Sequence, residues 1–279
     1  MNETHNFSIN CNGHILDLSP PVVMGILNVT PDSFFDGGRL ATTDTLLRQA
    51  EKMLTEGAAL LDIGGASSRP GAEEVNESEE MHRVLPAIEA VHSRFPETML
   101  SVDTWRASVA KSALGAGAAI VNDISGGRWD AEMHAAVAAH GCPYVLMHAQ
   151  GTPRTMQVAP VYEDVVQEVL DFFIAEVGRL RMLGVRDIVL DPGFGFGKTV
   201  EHNYALLKNL HVFSIVLGLP VLAGISRKSM ICQVLGVNPE KALNGTTALH
   251  VVALQQGARI LRVHDVREAV EVVRLFEKF

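Results

Sequence analysis

Cysteine is scarce in this chain. Its three copies, Cys11, Cys142 and Cys232, are odd in number, widely spaced and free of any C-x-x-C pairing, which excludes a disulfide framework and leaves structural thiols as the expectation. Long hydrophobic runs are missing as well. The longest nearly apolar stretch, Phe213 to Ile225, is broken by Gly218 and Pro220 and is too short for a bilayer, and the polar start Met1-Asn2-Glu3-Thr4-His5 lacks a signal-peptide core. A soluble cytoplasmic protein with no membrane partner is expected. No lysine- and arginine-rich run exists, and the net charge is -9, so nucleic acid is not an expected partner and any anionic substrate must be met by local cations. The histidines form neither H-x-x-x-H nor H-E-x-x-H, which argues against zinc, and no G-x-S-x-G supports acyl-enzyme chemistry.

What is present is regular. With 279 residues, 47% of them hydrophobic, the chain can bury a full core, and patterned segments run nearly end to end with no linker, so one domain over 1–279 is expected. Eight short β-branched or leucine-rich runs read as strands: Val22 to Asn28, Leu60 to Gly64, Leu100 to Asp103, Ala119 to Asp123, Tyr144 to His148, Ile188 to Asp191, Val221 to Gly224 and Ile260 to His264. Each stops on or beside a group capable of chemistry: Asn28, Asp62, Asp103, Asn122 with Asp123, His148, Asp191, Ser226 and His264. A strand buried on both faces has no use for polar side chains along its length, so polar ends that recur this way predict one shared mouth.

Between the runs, apolar residues recur at spacings of 3 and 4, as in Leu46, Ala50, Met53 or Val165, Val169, Phe173, Val177. Gly57, Gly141 and Gly184 stand where helices end, and Thr104, Asp130 and Asp265 where N-caps belong. Strand and helix alternating eight times, with right-handed crossovers, predict an α/β fold of the (β/α)8 barrel type. Residues 7–18, with Asn12-Gly13 at the centre, predict a short N-terminal β-hairpin capping the bottom of the barrel.

Several loops carry chemistry. The segment after the first strand, 28–38, is rich in oxygen and ends in two glycines, and Asn28 at the strand end suits a hard cation such as magnesium; a turn capped by Asx hydrogen bonds is the plainer alternative. Gly64 to Gly71, with Ser68 and Arg69, makes an anion-receptive loop or an ordinary βα turn. Asp103, Asn122 and Asp191 end three strands and could read a flat heterocycle; Asp123 is better taken as a helix N-cap. Asp191 to Thr199 fails the spacing of both glycine-rich nucleotide motifs, and its glycines instead let Phe194 and Phe196 wall the ligand. Ser226-Arg227-Lys228-Ser229 enters a helix with a hydroxyl and two cations, a site for carboxylate or phosphate. Arg262 and His264 share one face of the last strand, where the pair could hold pyrophosphate or Arg262 could stack on a ring.

Together these segments closely resemble the bacterial dihydropteroate synthases. Met24 to Phe34, Asp62-Ile-Gly-Gly65, Arg69-Pro-Gly71, Ser101-Val-Asp103, Asn122-Asp-Ile124, Leu146-Met-His148, Leu190 to Lys198, Ser226 to Ser229 and Arg262 to Asp265 carry the resemblance, in order, across nearly the whole chain. It implies a magnesium-dependent, homodimeric transferase that joins 4-aminobenzoate to (7,8-dihydropterin-6-yl)methyl diphosphate and releases pyrophosphate. By motif match, Asp103, Asn122, Asp191 and Lys228 hold the pterin, with Arg262 stacked on it. Asn28, Arg262, His264, Ser68 and Arg69 hold pyrophosphate and metal, Ser226 meets the aminobenzoate carboxylate, and Arg69, Asp103, Lys228 and His264 form the catalytic set. Loops 28–39 and 64–73 are expected to order around pyrophosphate before the second substrate enters. The chain departs from the family at Ala66, where Glu is usual, at Ser68 for Thr, and at Phe35 for a common Ser. A pterin-binding corrinoid methyltransferase and a non-catalytic pterin binder are the competing readings; Arg69, Ser226-Arg227-Lys228 and Arg262 with His264 favour the synthase over the first, and intact Asn28, Asp103, Lys228, Arg262 and His264 argue against the second.

Overall fold

The computed structural model describes residues 7–29, 38–66, 75–151 and 160–279. Asn12 and Gly13, both at positive φ, turn the chain between β1 (Ser8–Cys11) and β2 (His14–Asp17), an antiparallel pair. The left-handed backbone of that turn is what the Asn-Gly dipeptide supplies. Eight parallel strands follow: β3 (Val22–Asn28), β4 (Leu60–Gly64), β5 (Met99–Asp103), β6 (Ile120–Asp123), β7 (Tyr144–Met147), β8 (Ile188–Asp191), β9 (Val221–Ala223) and β10 (Ala258–Val263). They close a barrel in sequence order, with β10 paired to β3 across the seam. The predicted (β/α)8 barrel and N-terminal hairpin are both present.

The helices are α1 (Gly38–Thr55), α2 (Glu77–Arg94), α3 (Ala107–Gly115), α4 (Met133–His140), α5 (Val165–Met182), α6 (Val200–Lys208), α7 (Leu210–Leu217), α8 (Ser229–Leu235), α9 (Leu243–Gln255) and α10 (Val266–Phe276). The crossovers before β9 and β10 thus carry two helices each. Apolar stripes such as Val165, Val169, Phe173 and Val177 on α5 seal against the outward side chains of the strands. Inside the ring, Met24, Leu60, Ile120, Val145, Val189 and Leu222 fill the N-terminal end. Ile9, Cys11, Leu16 and Leu18 of the hairpin pack against that layer. The hairpin therefore occupies the end opposite the strand C-termini.

Some expectations need correction. Thr104 and Asp130 are not N-caps of their own helices: Arg106 holds the N-cap position of α3 and Glu132 that of α4. Asp130 instead accepts the Ala107 N–H at 2.8 Å, capping α3 from across the loop. Asp265 does hold the N-cap position of α10, but it spends its carboxylate on Arg227 rather than on the helix N–H groups. Asp123 caps no helix; buried completely, it accepts the Ser125 and Gly127 N–H groups at 2.7 Å and the Tyr144 hydroxyl at 2.6 Å, anchoring a turn. Among the described residues no helix is long and apolar enough to cross a membrane. The thiols of Cys11 and Cys142 are buried, and burial pushes them up to about 12 and about 11.

Candidate functional site

Strand alternation decides which polar ends meet. On β4, β5, β6 and β10 the inward side chains nearest the C-terminal end are Asp62, with only the bare Gly64 beyond it, Asp103, Asn122 and Arg262, and they join into one network. The Arg262 guanidinium donates from Nε to Asp62 Oδ2 and from a terminal nitrogen to Asp103 Oδ2, both at 2.6 Å. Asn122 donates its amide to the same Asp62 oxygen at 2.8 Å, while Asp62 Oδ1, buried, has no hydrogen-bond partner among the described residues. One guanidinium between two carboxylates neutralises one of them. Burial pushes the Asp103 carboxyl up to about 7, against the pull of Arg262, and Asp62 adds to the rise. Burial opposes the Arg262 charge too, but Asp62 and Asp103 outweigh it and hold the guanidinium protonated.

Two glycines show how closely the other groups approach. A methyl group at Gly64 would lie 3.3 Å from Asp103 Cβ and 3.4 Å from Asn28 Oδ1, so Asn28 and Asp103 meet over a bare backbone. A methyl at Gly224 would lie 3.8 Å from Asp191 Oδ2 and 4.0 Å from Lys228 Nζ. Lys228 also donates to the Phe194 carbonyl and sits 4.6 Å from the centre of the Phe196 ring. Burial pushes its ammonium down to about 8, with Asp191 opposing; burial raises the Asp191 carboxyl, with Lys228 opposing. The result is a cup with acceptors and cations interleaved around its wall, able to read the edge of a flat polar ring and to meet a multiply charged anion beside it.

Of the residues expected from sequence, Asn28, Asp103, Asn122, Asp191, Phe196, Lys228 and Arg262 come together here. Ser68, Arg69, Phe35 and most of both phosphate loops lie outside the described residues. Ser226 is not at a helix start, because α8 begins at Ser229; it is buried, and its hydroxyl accepts the His264 backbone N–H at 3.3 Å. His264 itself is exposed at the end of β10. Arg227 does not serve the cup: at φ 54° it turns away and forks onto Asp265 with two bonds of 2.8 Å. Phe194 is core, leaving Phe196 as the one wall residue of that pair. His148 also faces outward, against Phe172 and Tyr162, and Met147 takes the inward place on β7. Not all eight strand ends therefore converge.

Asp62 joins the site without having a role in the sequence reading. Its signal is a carboxylate inside Leu60–Gly64, a strand buried at all five positions, where a charge survives only with a partner. For a metal, no group of three or more His, Cys, Asp or Glu side chains could hold one among the described residues. Asn28 offers a single neutral oxygen, which fits a hard cation that takes most of its ligands from water and phosphate.

The chain matches the pterin binding enzyme family over residues 24–264. It is 49% identical to the dihydropteroate synthase of Escherichia coli K12 over 95% of this chain and 94% of that one. The Yersinia pestis dihydropteroate synthase, solved with a sulfonamide drug, superposes with a TM-score of 0.90 at 46% identity over 98% of each chain. That of Xanthomonas albilineans has been solved with 4-aminobenzoic acid, at TM-score 0.91 and 42% identity, and with 7,8-dihydropteroate, at 0.87 and 40%, each over 98% of both chains.

Proposed function

This chain belongs to the pterin-binding enzyme family, among its dihydropteroate synthases, and we propose that the cup joins 4-aminobenzoate to (7,8-dihydropterin-6-yl)methyl diphosphate. Pyrophosphate and 7,8-dihydropteroate leave. The observation that carries the residue assignment is the convergence of Asp62, Asp103, Asn122 and Asp191 with Arg262 and Lys228 in one mouth. The carboxylates and the amide accept from the amino and ring N–H groups of the pterin, and Lys228 donates to its carbonyl. A buried oxygen with no partner, such as Asp62 Oδ1, rewards a ligand that brings a donor.

The bond that breaks joins the pterin methylene to a diphosphate oxygen, and the bonding electrons leave with pyrophosphate. Positive charge builds on the methylene, which the carboxylates of Asp103 and Asp191 stabilise from within a poorly solvated wall. Arg262 and His264 meet the departing charge, and the motif match gives Arg69 the same role. The aminobenzoate nitrogen then bonds to the methylene and passes its proton to water. Asn28 would hold magnesium beside the diphosphate, and the metal, when bound, neutralises charge on the leaving group. With Ser226 engaged by the His264 backbone, the exposed Ser229 at the start of α8 is the hydroxyl we place at the aminobenzoate carboxylate.

A homodimer is part of the proposal. Ile215 on α7, Val234 and Leu235 on α8, and Val251 on α9 are exposed apolar side chains, and α8 and α9 pack against each other. The methyltransferase and the non-catalytic reading gain no support from relatives that are synthases. Purified protein incubated with the pterin diphosphate, labelled 4-aminobenzoate and magnesium should yield labelled pteroate and an equal amount of pyrophosphate. No labelled pteroate would overturn the assignment.

A further inference from the structure

Lys198 is a lysine with 3% exposure and, among the described residues, no ion-pair partner. Such a group is costly to bury unless its donors are all used. Its Nζ donates to the carbonyls of Gly193 and Phe196 at 3.0 Å and of His148 at 3.2 Å, and lies 3.1 Å from His148 Nδ1. Those carbonyls belong to two segments, the end of β7 and the loop after β8. The loop could not reach this shape with ordinary residues: Gly193 and Gly197 have φ of 67° and 66°, and a methyl at either would fall 1.9 Å from the His148 carbonyl oxygen or 2.3 Å from that of Gln150.

The same loop touches every pterin-facing group on this side of the cup. The Gly193 N–H donates to Asp191 Oδ1 at 2.8 Å, Lys228 donates to the Phe194 carbonyl, and the Phe196 ring lies under the Lys228 ammonium. Lys198 spends its ammonium on these carbonyls. We propose that Lys198 is a positioning residue for the pterin half of the pocket, its ammonium gathering β7 and the β8 loop into the surface that presents Asp191, Phe196 and Lys228. His148 is the outer brace: its ring is held between Phe172 and Tyr162, with its Nδ1 turned to the lysine. Burial holds that imidazole neutral, so it faces the ammonium without repelling it.

The inference rests on the pterin reading above, and its test separates the two. Isothermal titration of 6-hydroxymethylpterin and, separately, of inorganic pyrophosphate with magnesium is carried out on wild type, Lys198→Met and His148→Phe. The proposal expects Lys198→Met to weaken the pterin at least tenfold and pyrophosphate less than twofold. His148→Phe, which keeps all three carbonyl bonds, should weaken the pterin by a smaller factor in the same direction. Stoichiometry counts the folded fraction, so partial misfolding lowers the site number and leaves the dissociation constants readable. Pterin affinity within twofold of wild type in Lys198→Met, or equal loss of both ligands, overturns the positioning role. If wild type binds no pterin, it is the parent reading that falls.

Discussion

Arg262 holds two buried carboxylates at once, and its removal is a question of charge before it is one of catalysis. Arg262→Ala leaves Asp62 and Asp103 facing each other without a counter-charge, which costs about 3–5 kcal/mol of folding stability in addition to abolishing turnover. Urea unfolding should show that loss, and adding Asp62→Asn should recover part of it, because the two positions are coupled. The same cluster sets the pH range. Asp103 stands at about 7 and Lys228 at about 8, so the carboxylate accepts from the pterin only above the first value and the ammonium donates only below the second. A kcat/KM profile should be bell-shaped with a narrow top between them, falling in acid as Asp103 gains a proton and in alkali as Lys228 loses one. A flat profile from pH 6 to 9 would contradict this. Asp103, Asn122 and Asp191 were legible in the sequence because each ends an apolar run. His148 looked the same in sequence, but parity at the tip of a four-residue strand cannot be read without the ladder. Lys198 was hidden for another reason: its partners are backbone carbonyls, which carry no mark in the amino-acid string.

At the level of elements, existence and type could be read, and three strands, Val22–Asn28, Leu60–Gly64 and Ile188–Asp191, have the bounds their apolar runs predict, while other ends shifted. β10 begins at Ala258, two residues before its apolar run suggested, because pairing to β9 starts there through a register shift between Ala258 and Ile260. Helix α8 begins three residues after Ser226, since Arg227 must first adopt a left-handed turn to reach Asp265. That displacement moves the proposed carboxylate contact from Ser226 to Ser229. The hairpin offers a control at the far end of the barrel. Leu18 is fully buried against the lower inner layer, so Leu18→Ala should cost about 2–5 kcal/mol in urea unfolding. Pterin affinity measured below the transition should stay unchanged. A parallel loss of affinity would mean that the two ends of the barrel are coupled.

For the molecule as a whole, the apolar residues on α7, α8 and α9 make association testable. Sedimentation should give twice the chain mass, and Ile215→Glu combined with Val234→Glu should return it to one chain while leaving the cup intact. A monomeric wild type would remove the dimer from the account. The ring itself joins its earliest barrel strand to its last, β3 to β10, and Arg262 rides on that final strand. While the chain is still emerging from the ribosome, Asp62 and Asp103 have been made and their cation has not, so the pocket stays electrostatically incompatible with burial until the final strand is threaded home. The strand that closes the cylinder is thus also the one that brings the counter-charge, so the pocket's charge balance is complete only when the ring is.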